Sequence, residues 1–159
     1  GPAYMRLGRL AVENVTNTIQ GYKFTLGKGA LLNEGADVTI IAVGMMVQMA
    51  LKAAEILQSS GRSARVIDMH TIKPLDRNII IKAAKETGAI VTTEEHNIIG
   101  GLGSAVCEVL SEERPVPVIR HGVNDVFGRS GKAQKVLEAY GLTPESIAKA
   151  AEKAISLKK

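Results

Sequence analysis

The stretch that most constrains the fold runs from Ala89 to Val109. It opens behind Gly88 on the apolar run Ala89, Ile90, Val91, then passes through Thr92, Thr93, Glu94, Glu95, His96 and Asn97 to glycines at 100, 101 and 103. The β-branched run reads as a buried strand, and after the glycines Leu102, Val106, Val109 and Leu110 recur at helical spacing. The order is therefore strand, loop, helix. In an open parallel sheet, ligands and partner domains meet the fold at the loop beyond a strand's carboxyl end. This loop gathers two carboxylates, an imidazole and three glycines.

The same alternation repeats on both sides of it. Val38 to Val43 is a strand buried on both faces, ended by Gly44; Met45 to Ser60 places Met46, Met49, Ala50, Ala53, Ile56 and Leu57 at helical spacing, with Gly61 as cap. Ala64 to Met69 is a further strand, and Pro74 and Asp76 turn the chain into a helix from Arg77 to Glu86. Pro115 and Pro117 flank a last strand, Val116 to Arg120, followed by a loop from His121 to Gly131. Lys132 to Tyr140 forms a helix stopped by Gly141, and Thr143 as N-cap with Pro144 at the first position starts another that runs to about Leu157. Such alternation implies right-handed crossovers and a parallel sheet covered on both sides. Tyr22 to Leu26 and Lys28 to Leu32 can form short strands about Gly27, and the Asn- and Thr-rich Ala11 to Gln20 reads as a linker.

A chain of 159 residues suits one compact domain, and with no Trp and two Phe its core is aliphatic. The basic residues that give a net charge of +4 are scattered and not interleaved with aromatics, which argues against a nucleic-acid surface. No apolar run reaches the roughly 20 residues of a membrane span, and Gly1 to Arg9 lacks the form of a signal peptide. Cys107 stands alone, which rules out an internal disulfide and suits a reducing cytoplasm.

Gly100, Gly101 and Gly103 can bring backbone N–H groups close to an anion at a helix N-terminus. A dinucleotide fingerprint, however, needs its first glycine directly after the strand and an acidic residue about 20 positions on. Here polar and bulky residues intervene and the next strand ends in Arg120 and His121, so a structural turn is the favoured reading. Glu94, Glu95 and His96 can form an acid/base set, but neighbours on an extended chain point to opposite sides, so not all three face one pocket. A helix-capping, interface-forming loop is preferred. His70, His96 and His121 lack companions at metal-ligand spacing, and no nucleophile elbow surrounds Ser104. Arg6 and Arg9 form a guanidinium pair suited to a bidentate phosphate grip, with a solvated basic terminus as the alternative.

Taken together, Pro2 to Arg9, Asp37 to Gly44, Thr71 to Asp76, Val91 to Ser104, Val123 to Gly131 and Tyr140 to Thr143 resemble the C-terminal domain of transketolase, most closely the C-terminal subunits of split transketolases. The resemblance covers essentially the whole chain. It implies a three-layer α/β/α sandwich with a mixed five-stranded sheet whose first strand, from Lys28 to Leu32, is antiparallel to the rest. Residues 1–20 are expected to be the tail of a preceding pyrimidine-binding domain plus a linker, and 21–159 the C-terminal domain. The full enzyme implied uses thiamine diphosphate and a divalent cation, Mg, to move a two-carbon ketol unit between sugar phosphates in the pentose phosphate pathway. Both cofactors are expected on the N-terminal and middle domains, none on this chain alone, and the family's catalytic histidines lie in those domains too.

In that setting Arg9 matches the arginine that contacts the substrate phosphate, with Arg6 as its neighbour. Glu94, Glu95, His96, Gly100, Gly101 and Gly103 become interface or regulatory candidates. The expected partners are the missing domains or subunit and a second copy in a homodimer, and the domain's own task is mainly assembly. The same fold serves 1-deoxyxylulose-5-phosphate synthases and the β subunits of 2-oxo acid dehydrogenases; the His96 to Ile99 run after the paired glutamates favours transketolase over both. A standalone anion-binding module is the reading from a different class.

Overall fold

The computed structural model describes residues 1–158, with Thr18 described by its backbone only. Its strands are β1 (Ala30–Asn33), β2 (Val38–Ala42), β3 (Ala64–Asp68), β4 (Ile90–Asn97) and β5 (Val118–Val123). Its helices are α1 (Met46–Ser59), α2 (Arg77–Thr87), α3 (Leu102–Glu113), α4 (Ala133–Ala139) and α5 (Pro144–Ser156). The sheet order is β1-β3-β2-β4-β5, with β1 antiparallel to β3 and every other pairing parallel. The mixed sheet replaces the all-parallel one that alternation alone suggests.

Strand periodicity divides the core into two layers. Val38, Ile40 and Ala42 of β2 face one side with Ala50, Ala53 and Leu57 of α1 and Ile147, Ala151 and Ala154 of α5. Ile41 faces the other side with Ile80 and Ala84 of α2 and Leu102, Val106 and Leu110 of α3. The starts of α2 and α5 are fixed by short polar side chains. The Asp76 carboxylate accepts from the Ile79 N–H of α2 and, at 3.1 Å, from the Gly29 N–H ahead of β1. Thr143 and Ser146 form a reciprocal capping box at α5, whose first helical position is Pro144.

Three spans differ from expectation, one of them β5, which starts two residues after Val116 and carries on through His121 to Val123 instead of ending at Arg120. Tyr22 to Leu26 forms no strand: the Lys28 N–H donates to the Thr25 carbonyl at 3.1 Å, Gly27 has φ +78°, and the resulting turn delays β1 to Ala30. β4 continues past Val91 to Asn97, because β5 pairs alongside it as far as Asn97 with Val123, across a register irregularity after Thr93. Among the described residues ahead of β1, the regular structure is one short 3-10 helix, Thr16–Thr18, besides turns. This segment nevertheless touches the carboxyl-terminal edge of the sheet, where Arg6 reaches the Glu95 carbonyl and the Glu13 backbone N–H donates to the Gln48 side chain of α1.

Candidate functional site

The acid/base trio is split: Glu94 is buried with the His96 imidazole 3.7 Å from its carboxylate, whereas Glu95, between them on the extended chain, points away and lines a separate groove. Glu94 is 2% exposed. Its Oε2 accepts from the Leu102 N–H at 2.8 Å and its Oε1 from the Gly103 N–H at 2.9 Å, so one carboxylate serves two of the free N–H groups that begin α3. The glycines make room for it. A Cβ on Gly101 would lie 2.0 Å from Glu94 Oε2, and one on Gly103 would lie 2.8 Å from Thr92 Oγ1. Gly100 takes φ +79° and its N–H donates to Ser104 Oγ at 2.8 Å.

His96 is exposed; its Nδ1 lies 2.8 Å from the Asn97 carbonyl and 3.7 Å from Glu94 Oε2. His121 sits deeper, with Nδ1 3.0 Å from Thr93 Oγ1 and Nε2 3.0 Å from the Gly141 carbonyl. Burial holds its imidazole below the ordinary histidine pKa, so it stitches β4, β5 and the start of α5 together as a neutral ring. His70 stacks on Phe24 with ring centroids 4.6 Å apart. The three histidines do not converge, and among the described residues no group of three or more metal-ligating side chains is found.

The two arginines of the opening segment lie at the same edge. Arg6 Nη2 donates to the Glu95 carbonyl at 3.3 Å. Arg9 lines a groove of about 360 Å³ with Glu95, Arg129, Ser130, Val136 and Leu137. Arg129 and Ser130 are the site residues that the sequence reading passed over. Their signal is the Phe127-Gly128-Arg129-Ser130-Gly131 run, in which a single cation follows a glycine in a loop. The loop is held on both sides. The Asn97 amide donates to Asp125 Oδ1 at 2.7 Å and the Tyr140 hydroxyl to the Phe127 carbonyl at 2.7 Å.

The glycine loop does not fit the diphosphate of a cofactor. The Leu102 and Gly103 N–H groups that would receive it already hold the Glu94 carboxylate, whose charge would repel a second anion. The two guanidinium groups that line the Arg9 groove give this edge the chemistry to hold an anion.

The family model for the C-terminal domain of transketolase matches residues 27–147. The chain is 47% identical over 151 residues to the 6-deoxy-6-sulfo-D-fructose transketolase subunit SqwH of Clostridium sp. (strain MSTE9), covering 95% of this chain and 46% of that protein. It is 49% identical over 150 residues to a putative transketolase C-terminal section of Methanocaldococcus jannaschii, covering 94% of this chain and 46% of that protein. A 1-deoxy-D-xylulose-5-phosphate synthase of Heliobacterium modesticaldum is 41% identical over 152 residues, covering 95% of this chain and 24% of that enzyme. Among solved structures, a split gene transketolase described as an inactive beta4 tetramer superposes with a TM-score of 0.94 at 52% identity, over 100% of this chain and 52% of the other. The chain thus spans about half the length of the split-type relatives it matches. On the family match, the identities and the shared fold, this chain belongs to the transketolase C-terminal domain family.

Proposed function

We propose that this chain is the C-terminal part of a thiamine diphosphate-dependent transketolase that transfers a two-carbon ketol unit between sugar phosphates. The cofactor and its divalent cation belong to the N-terminal and middle domains or subunit, which move the ketol unit, while this domain serves mainly assembly, as half of a homodimer contact. Residues 1–20 act as the tail of the middle domain and a linker.

The observation that carries the reading is the position of Arg9. An arginine ahead of the folded domain lies in a groove against β4 and α4, where a planar cation can grip a substrate phosphate delivered from the preceding domain. Arg6, held on the Glu95 carbonyl, fixes the path of that segment. Exposed Ile99 and Phe127 at the same edge, 60% and 98% accessible, support a partner surface there.

The test mixes this chain with a polypeptide carrying the missing domains. Ketol transfer from a ketose phosphate to an aldose phosphate should appear only in the mixture, and Arg9→Ala should raise KM for the phosphorylated substrates. Unchanged kinetics would remove the Arg9 role. The 41% identity to 1-deoxy-D-xylulose-5-phosphate synthases keeps one second reading in view. Pyruvate serving as the donor, with release of carbon dioxide, would select it. Heat on titrating ribose 5-phosphate into the isolated chain would instead favour a standalone anion-binding module. Sedimentation velocity across a concentration series, with and without the remainder, reads the assembly role directly.

A further inference from the structure

We propose that Arg129, supplied by the loop between β5 and α4, is a specificity-determining residue that joins Arg9 in gripping the terminal phosphate of the sugar substrate. The inference rests on the reading of Arg9 as a phosphate contact and extends it to a residue of the C-terminal domain proper.

Charge in the groove gives the first reason. Its charged lining consists of Arg9, Arg129 and Glu95. With Arg9 and Glu95 alone the lining charges cancel, and an incoming dianion gains nothing from the local field. Arg129 makes the groove cationic.

The second reason is that both guanidinium groups are free. Of the other arginines, Arg6, Arg65, Arg77 and Arg120 donate to carbonyls or carboxylates, while Arg62 and Arg114, without a side-chain hydrogen bond or ion pair among the described residues, lie outside this groove. Among the described residues Arg9 and Arg129 make no ion pair and no hydrogen bond, although both line one groove. A phosphomonoester presents three terminal oxygens, more than one guanidinium fork serves in a bidentate contact. Two forks from different chain segments, with the Ser130 hydroxyl beside them, can engage all three.

Preorganisation gives the third. The Arg129 loop is pinned at Asp125 by Asn97 and at Phe127 by Tyr140, each at 2.7 Å. The groove floor is closed by Val136 and Leu137, the latter 5% exposed. A loop already held in place loses little entropy when its side chain closes on an anion.

The test uses the assembled enzyme, with steady-state kinetics on an aldose phosphate and on glycolaldehyde as a phosphate-free acceptor, and inorganic phosphate as a competitive inhibitor. Arg129→Ala should lower kcat/KM for the aldose phosphate roughly 10- to 100-fold, more through KM than kcat, and raise the phosphate inhibition constant by a similar factor. The preference for the phosphorylated over the phosphate-free acceptor should shrink accordingly, and Arg129→Lys should recover part of it. Glu95→Gln should act in the opposite direction and tighten phosphate inhibition. An equal loss with both acceptors would mark Arg129 as merely structural and overturn the inference. Unchanged kinetics in Arg129→Ala with impaired Arg9→Ala would overturn it too, while leaving the Arg9 reading intact. Unchanged kinetics in both would remove both.

Discussion

Replacing Glu94 by Gln keeps the shape of the side chain and exchanges one acceptor oxygen for an NH2 group that faces a backbone N–H. Of the two bonds to Leu102 and Gly103, at 2.8 and 2.9 Å, one is lost outright and the other loses its charge. A hydrogen bond to a charged group contributes about 1.5–3 kcal/mol, and a charge at a helix N-terminus about 0.3–1 kcal/mol. Glu94→Gln should therefore destabilise the fold by about 2–4 kcal/mol, and for a chain of 159 residues lower Tm by about 4–16 °C. Because the chain has no Trp, urea unfolding is followed by far-ultraviolet circular dichroism. Gly101 supplies a stricter check. Its φ of −100° suits any residue, and the three atoms nearest to an added Cβ all belong to the Glu94 carboxyl group. Gly101→Ala should thus be destabilising by about 1–3 kcal/mol in the native chain. That penalty should shrink by about 1 kcal/mol or more in a Glu94→Ala background. A Glu94→Gln variant within about 0.5 kcal/mol of the native chain, or strict additivity in the cycle, would refute the capping account.

Burial depresses the His121 pKa, so folding favours its neutral form. The stability it contributes is complete above its ordinary pKa of 6.5 and is lost as the pH falls below that value towards the folded-state pKa. The urea midpoint should drop between about pH 7.5 and pH 5 more steeply in the native chain than in His121→Gln; parallel profiles would rule this out. Gly35→Ala should be destabilising by about 3 kcal/mol or more, or leave no soluble protein. Its Cβ would lie 2.3 Å from the Ala64 carbonyl carbon and 2.4 Å from the Arg65 nitrogen, main-chain atoms that cannot withdraw without opening β3. A native-like melting temperature would contradict that geometry.

Much of the architecture was legible because backbone punctuation and apolar periodicity report local physics. Gly44, Gly61, Gly88 and Gly141 mark boundaries in the sequence and all take positive φ in the structure. Thr143 with Pro144 announces α5 as a start signal should. The antiparallel β1 was not legible from periodicity, since a four-residue strand carries no direction of its own; only the resemblance implied it. The length of β4 was hidden for a different reason. Thr92, Thr93 and Glu94 look like loop residues, but all three are buried, because the start of α3 covers them and β5 pairs alongside. Glu94 is buried by bonding to backbone N–H groups and Thr93 by the His121 ring, partners that leave no hydropathy signal in the sequence. Arg129 lay beyond reach for a third reason, because its significance depends on Arg9 sharing its groove from 120 positions away in sequence.

The carboxylate under α3 also sets what the domain's folding depends on. Where a helix N-terminus of this kind holds a phosphate from solution, the ligand's free concentration enters the folding equilibrium by mass action, and the protein loosens when the metabolite runs low. Here the anion is tethered to the neighbouring strand through its own chain, so its supply is fixed at the effective concentration of an intramolecular contact. The integrity of α3 and of the β4 edge is thereby decoupled from the concentration of any dissolved anion. An anion that bound in the Arg9 groove would come and go without taking part of the scaffold with it.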